Sequence, residues 1–379
     1  MYKFYERYLL PIGLLAGTII GAGIFALPHV FKTSGIGTGF FYLVLGAVVY
    51  SAIHLMYADV ILRTPGRHRF VGYAREYLGP GAFFPAILMS VVEMIFVLTV
   101  YLVLSYSFAN LVTPLGAVLE KIVLFWLFGS LGIFLSVRRL AELEFWITGM
   151  ILGIIGLILF WSLKNVVAFS AVDFYPVLKS SLLPLAPVLF ALSGRVAIPS
   201  LVDYFNARKL PTLKRAIVWG TVVPALVYTL FVLGILMISP VPSEDAVSGL
   251  IGILPQWALA VIGVLGLFSL YSSYIVVGLD VKNILSYDIK LPSILSVLIV
   301  IGMPIALYFS GFHNFIALVS FTGGIFLSFE GMFIIAIWLR ANKILEAPPI
   351  LFKKKFFVPA MFLFSVFATA MVYEIIKYY

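Results

Sequence analysis

Three ionisable side chains stand where a sequence this apolar tolerates them least. Glu93, Arg195 and Glu330 each fall deep inside a long hydrophobic segment, where a charge survives only if it is paired, hydrated or used. An arginine does not discharge itself by losing a proton, so Arg195 needs an anionic or carbonyl partner. Glu93 and Glu330 are the two carboxylates of matching depth. A static ion pair is one outcome. A second is a proton-coupled switch, in which Glu93 or Glu330 titrates as Arg195 moves. A third is contact between Arg195 and an acidic group on a ligand. Tyr101, two helical turns beyond Glu93, shares its face and is a candidate wall of the same site. His54 fits a satisfied buried histidine better than a proton relay.

Arg195 itself lies inside a repeated pattern. Gly-x-x-Ala-x-Pro occurs at Gly23-Ile24-Phe25-Ala26-Leu27-Pro28 and, about half the chain later, at Gly194-Arg195-Val196-Ala197-Ile198-Pro199. Glycine and proline together break helices, and broken backbone at membrane depth persists only where it lines a cavity. Breaks in corresponding positions of two halves point to a transporter's binding site. Around Gly21, Ala22 and Gly23 unpaired N–H groups beside the positive end of a half-helix suit a carboxylate. Carbonyls freed around Phe190, Ala191 and Leu192 end a half-helix whose negative pole suits an ammonium group. Together the two breaks suit a zwitterion. Close helix packing, as Gly17 and Gly21 at Gly-x-x-x-Gly spacing would also give, is the plainer alternative.

The elements that must position these residues follow from composition. With 63% hydrophobic and 11% charged residues over 379 positions, and a mean hydropathy of +1.14, the chain is a polytopic α-helical membrane protein. Hydropathy predicts eleven spans near 9–31, 37–62, 83–111, 116–137, 143–163, 183–204, 216–239, 255–284, 292–310, 312–340 and 356–377. The N-terminal MYKFYERYLLP runs into the first span without a small-residue cleavage site, so it reads as a mature cytoplasmic end. Nineteen of the 25 Lys and Arg then fall on the cytoplasmic side, in clusters such as Arg63, Arg67, Arg69 and Arg75, Arg208, Lys209, Lys214 and Arg215, and Lys353, Lys354 and Lys355. Lys32, Lys121, Lys164, Lys179 and Lys377 fall on the other. This bias fixes the expected orientation, with an extracytoplasmic C-terminus. It also explains the net charge of +9 without a nucleic-acid partner. Zero cysteines exclude disulfides and thiolate chemistry. No Walker loop, metal-ligand cluster or nucleophile with its base occurs, so neither an enzyme nor an ATP-driven pump is expected. No cofactor is expected beyond a coupling ion.

In this orientation the two Gly-x-x-Ala-x-Pro copies lie in oppositely directed spans. The expected fold is a five-plus-five inverted repeat, about 9–163 and 183–340, within a ten-helix core of residues 1–342. An eleventh helix, 355–379, is appended.

Gly17-Thr18-Ile19-Ile20-Gly21-Ala22-Gly23-Ile24-Phe25-Ala26-Leu27-Pro28 resembles the first-helix signature of the aromatic and hydroxy amino acid permeases. These belong to the amino acid, polyamine and organocation transporter superfamily, with its LeuT-type fold. Leu189 to Pro199 resembles their broken sixth helix, and Ser272-Ser273-Tyr274 with Gly278-Leu279-Asp280-Val281-Lys282-Asn283-Ile284-Leu285 the end of their eighth. The resemblance implies an α-amino acid substrate. Its carboxylate would lie on Ala22, Gly23 and Ile24, and its ammonium on carbonyls of the first and sixth helices, with Gly21, Phe190, Ala191, Leu192, Ser193, Gly194, Arg195 and Tyr101 around it. Because the third helix lines the central cavity in this fold, Glu93 is the first expected partner of Arg195 and Glu330 the second.

For coupling, sodium-dependent relatives hold Na⁺ between first-helix carbonyls, here Gly17 and Ile20, and hydroxyls of the eighth helix, here Ser272 and Ser273 with Ser269 one turn away. Some proton-coupled relatives place a lysine in the fifth helix, and Leu143 to Leu163 contains none. Na⁺ and H⁺ both remain open. The expected function is import of an aromatic or neutral amino acid across a prokaryotic plasma membrane by alternating access. The alternative is a transporter-like receptor that binds an amino acid without turnover.

Overall fold

A computed structural model describes residues 5–66, 68–133, 137–164, 171–205, 210–345, 349–352 and 357–377. The basic residues Arg67, Arg208, Lys209, Lys353, Lys354 and Lys355 lie outside the described residues. Among those described there is no strand, only an isolated bridge between Ile251 and Leu254. All eleven hydropathy segments are helical. The unbroken spans are Ile36–Arg63, Phe83–Val112, Val118–Gly132, Val137–Ser162, Leu210–Ile238, Gln256–Asn283, Ser293–Phe309 and Phe357–Lys377. Among the described residues, seven helical stretches are long and apolar enough to cross a bilayer on their own, or eight when the bent first span is counted as one. Of the remaining spans, Val118–Gly132 and Ser293–Phe309 are shorter. The fifth span begins earlier than hydropathy places it, at Val137, so its first turn takes in Arg138 and Arg139.

The two Gly-x-x-Ala-x-Pro copies fold alike. In the first span Leu10–Ile19 ends at Ile20 (ψ 97°), Gly21 is extended, Ala22–Ala26 forms a 3₁₀ turn, and Leu27–Ser34 continues as a helix bent by 51° from the first half. In the sixth, Leu185–Leu192 ends at an extended Ser193, Gly194 follows, Arg195–Ala197 forms a 3₁₀ turn, and Ile198–Phe205 resumes. In both copies the proline, Pro28 or Pro199, sits second in the resuming half-helix. There its missing N–H costs nothing and its fixed φ favours the turn.

The tenth span carries an interruption that hydropathy does not reveal. Phe315–Phe321 passes through a π-helical turn at Thr322–Leu327 before Ser328–Ile344. At this turn the tenth span meets the sixth: a Cβ on Gly323 would stand 2.1 Å from the Ala186 carbonyl oxygen, so only glycine admits that approach. Thr322 and Ser328 hydroxyls donate to Leu318 O and Gly323 O, holding the loosened turn.

The two ends of the bundle are tied separately. At the N-terminal end the Tyr204 hydroxyl donates to Glu6 O at 2.7 Å, and Arg69 pairs with Asp288 at 3.9 Å. Asp59, fully buried in the second span, accepts from Arg63, from the Trp338 indole and from the backbone N–H groups of Ile350 and Leu351, anchoring the segment that leads to the last span. At the opposite end Lys32 pairs with Asp173 at 2.6 Å, and His29 Nδ1 lies 3.1 Å from Pro242 O. Between the ends, side chains such as Phe41, Val44 and Val48 face outward and remain exposed, as expected of a lipid-facing surface.

Candidate functional site

The two breaks cross and touch. A Cβ on Gly23 would lie 2.6 Å from Ala191 Cα, and one on Gly194 would lie 2.5 Å from Ile19 Cγ1, so each break's glycine accommodates the other's chain. Behind the crossing, the fully buried Tyr228 of the seventh span places its hydroxyl 2.7 Å from Ile19 O and 2.8 Å from Ala191 O. With one proton it donates to one carbonyl at a time and holds both breaks in register. Phe190 O is occupied as well, accepting from the Ser193 N–H and hydroxyl.

In front of the crossing lies a cavity of about 280 Å³, close to the lower end of ordinary ligand sites of roughly 300–1,000 Å³. Its polar wall includes Thr18, Gly21, Ser193, Gly194, Ser273 and Asp280 together with Glu93, Arg195 and Glu330. Leu14, Met94, Val97, Val276 and Val277 supply an apolar wall. Glu93, Val97 and Tyr101 repeat at helical spacing on the third span, and Ser273, Val276, Val277 and Asp280 on the eighth.

Of the residues singled out from sequence, Gly17, Ile20, Gly21, Glu93, Tyr101, Ser193, Gly194, Arg195, Ser273 and Glu330 meet at this cavity. Ala22, Gly23, Ile24, Phe190, Ala191 and Leu192 do not line it; they are buried in the crossing behind its wall. Ser269 lines a separate slit and Ser272 lines neither space. Ser273 borders both spaces, beside Gly17 and Ile20 in the cavity and beside Ser269 in the slit.

Arg195 pairs with Glu330, not with the first-choice Glu93: its Nε lies 2.5 Å from Glu330 Oε2, a charge contact whose angles are not those of a hydrogen bond. The guanidinium also stacks over the Phe70 ring at 4.7 Å and meets the Tyr57 hydroxyl. The Glu93 carboxyl lines the same cavity as Glu330. Glu330, in the first turn after the π-helical segment, and Glu93 both line the cavity with Arg195, and Glu330 is the one within ion-pair distance. His54 is fully buried with Nδ1 3.0 Å from Thr221 Oγ1, while its Nε2 and the neighbouring Tyr50 hydroxyl have no hydrogen-bond partner among the described residues. Sequence reasoning missed Tyr228 and left Asp280 unassigned. Asp280 was legible as an acid near the end of an apolar span; Tyr228 was one tyrosine among 20.

Access to the cavity is one-sided. Past Arg195, Val196, Ser200, Val276 and Asp280 it opens into a vestibule of about 430 Å³ that ends at His68, Arg69, Asn283 and Asp288, on the N-terminal face. Toward the opposite face, the slit between Gly21, Phe25, Phe108, Gly266 and Ser273 has no room for a water molecule. Phe25 seals it, edge-on to Phe108 at 5.1 Å and to Phe231 at 5.4 Å. Gly266 lets Phe108 close in, since a Cβ there would lie 2.2 Å from the ring.

Solved structures with the same architecture are transporters of the LeuT fold. Mhp1, a nucleobase-cation-symport-1 family transporter in a closed conformation with bromovinylhydantoin bound, is similar over 96% of this chain and 91% of its own, at 13% identity and a TM-score of 0.64. The manganese transporter of Eremococcus coleocola, in complex with an aromatic bis-isothiourea substituted compound, is similar over 99% of this chain and 87% of its own, at 13% identity and a TM-score of 0.66. At such identity the likeness is one of fold. Among the described residues no group of three His, Asp or Glu is arranged to hold a metal ion. No curated protein matches the sequence. Residues 6–292 match the tryptophan/tyrosine permease family, and the chain, a multi-span membrane transporter, belongs to that family.

Proposed function

We propose that this transporter imports an aromatic or other neutral amino acid across a prokaryotic plasma membrane by alternating access, coupled to Na⁺ or H⁺, with its N-terminus cytoplasmic and its C-terminus outside. The observation that carries the reading is the polar cavity at the crossing of two broken helices, open to the N-terminal face and shut by Phe25 on the other. A site reachable from one face at a time is what alternating access requires. The charge bias of the loops makes the open face the cytoplasmic one.

The substrate carboxylate faces the backbone at Gly21, which lines the cavity at the start of the 3₁₀ turn. Its ammonium faces the polar end of the sixth-span half-helix at Ser193 and Gly194, since Phe190 O and Ala191 O already have protein donors. The side chain lies toward Tyr101, Met94, Val97, Val276 and Val277. Ala22, Gly23, Ile24, Phe190, Ala191 and Leu192 then serve as the rigid frame behind the site.

The test is thermal unfolding of the purified protein with each of the twenty amino acids, followed by counterflow of labelled substrate in proteoliposomes. Ligand that binds only the folded state raises its melting temperature. Stabilisation by tryptophan or tyrosine with saturable counterflow supports the reading. Stabilisation without counterflow makes the protein a receptor, and no response to any amino acid removes the substrate class.

A further inference from the structure

The charges in the cavity do not balance. One guanidinium, Arg195, faces two carboxyls of the same cavity wall, Glu93 and Glu330, with a third, Asp280, at the cavity's edge. Arg195 compensates one of the two glutamates. Two carboxylates on one cavity wall at membrane depth repel strongly because little water screens them, so the cluster of Glu93, Glu330 and Arg195 is neutral only with one further positive charge.

The three residues also sit on elements of different rigidity. Glu93 lies inside the unbroken third span and Glu330 in the tenth span beyond its π-helical turn, whereas Arg195 begins the 3₁₀ turn of the sixth-span break, the part of that helix least tied by regular hydrogen bonds. We propose that Glu93 and Glu330 form a one-proton carrier and that Arg195 is the counter-ion which a second proton replaces when the sixth-span break moves. The inference rests on the transport reading above and names the coupling ion as H⁺.

With Arg195 in place, as here, the cluster holds a single proton between the two carboxyls. When the break shifts and withdraws the guanidinium, the remaining carboxylate accepts a proton from water in the cavity. Return of Arg195 expels that proton toward whichever face is open, which in this conformation is the vestibule ending at Arg69 and Asp288. The groups facing the pair are few. The second span presents Tyr50, Tyr57 and His54, the third Tyr101, the eighth Asp280, and the sixth Arg195. Among the described residues no lysine lines the cavity, and Arg195 is its one basic residue. Asp280, at the boundary between cavity and vestibule, makes no hydrogen bond or ion pair among the described residues and marks the route by which the proton leaves.

The experiment uses the full chain in proteoliposomes that enclose a pH-sensitive dye, with labelled tryptophan and tyrosine as probes. It reads protons moved per substrate, in sodium chloride and in choline chloride. The expected result is acidification of the lumen at one proton per substrate, equal in both salts. In Glu330→Gln and, independently, in Glu93→Gln the ratio falls at least tenfold, and Glu330→Asp restores it in part. A wild-type protein that exchanges substrate without moving protons, or that moves them only with sodium, overturns the proton carrier and leaves the transport reading intact. Glutamine variants that keep the wild-type ratio do the same. No exchange of either probe by the wild type overturns the transport reading, and the inference with it.

Discussion

Gly23 and Ala191, 168 positions apart in sequence, meet so closely that a Cβ on the glycine would come within 2.6 Å of the Ala191 Cα. Backbone on the far side of that contact cannot step back, because Tyr228 holds Ala191 O from behind. Gly23→Ala therefore forces the two breaks apart. The expected cost is about 1–3 kcal/mol of stability, the usual range for overpacking, with at least a tenfold loss of substrate counterflow. Gly13→Ala is the control. It lies in the same span with nothing within 4 Å of its new methyl, and its melting temperature should be unchanged or slightly raised. Thermal unfolding and counterflow on both variants check the pair.

Tyr228→Phe removes one oxygen and leaves the Ile19 and Ala191 carbonyls without their shared donor in a site sealed from water. A buried acceptor deprived of its partner costs about 1–3 kcal/mol. Because both carbonyls border the crossing, substrate affinity should fall together with the melting temperature. Wild-type affinity alongside a lowered melting temperature would confine Tyr228 to a structural role. Calorimetric titration with tryptophan separates the two.

The breaks were legible because their causes are local: glycine frees the backbone, proline starts the second half-helix, and the same six-residue spacing produces the same extended–3₁₀–helix sequence at Gly21–Pro28 and Ser193–Pro199. The depth of Glu93, Arg195 and Glu330 was legible from hydropathy for the same reason. The pairing of Arg195 was not. It depends on how the tenth span packs against the sixth, where Gly323 meets the Ala186 carbonyl, a contact between helices that no window of sequence contains. The hydroxyls of Ser269, Ser272 and Ser273 were expected around one ion because sodium-dependent relatives hold Na⁺ there. Positions three and four apart share a helix face, and Ser269 and Ser273 do border one slit, but which space each hydroxyl reaches is set by the neighbouring helices.

The Arg195–Glu330 pair should behave as buried ion pairs do. Removing one partner strands the other charge, so Arg195→Met and Glu330→Leu alone should each destabilise by about 3–5 kcal/mol. The double variant should recover most of that loss, because two apolar side chains of similar size replace a mutually dependent pair. Transport should not recover. A double variant as unstable as either single one would mean that Arg195 depends mainly on Tyr57 and Phe70. A double-mutant cycle by thermal unfolding gives the answer.

The closed side of the cavity yields a prediction that the composition makes easy to check. The chain contains no cysteine, so a single introduced thiol reports its own accessibility without background. Ser200 and Asn283 line the open vestibule, whereas Phe25 and Leu270 face the slit that excludes water. In oriented membranes, Ser200→Cys and Asn283→Cys should react with a membrane-impermeant thiol reagent applied from the N-terminal face and not from the other. Leu270→Cys should resist reagent from both faces while the Phe25 seal is shut. Substrate that drives the protein through its opposite conformation should slow labelling of Ser200→Cys, and Phe25→Ala should expose Leu270→Cys to the C-terminal face by removing the ring packed against Phe108 and Phe231. Labelling of Ser200→Cys at equal rates from both faces would mean that the cavity is a channel and that Phe25 is no gate.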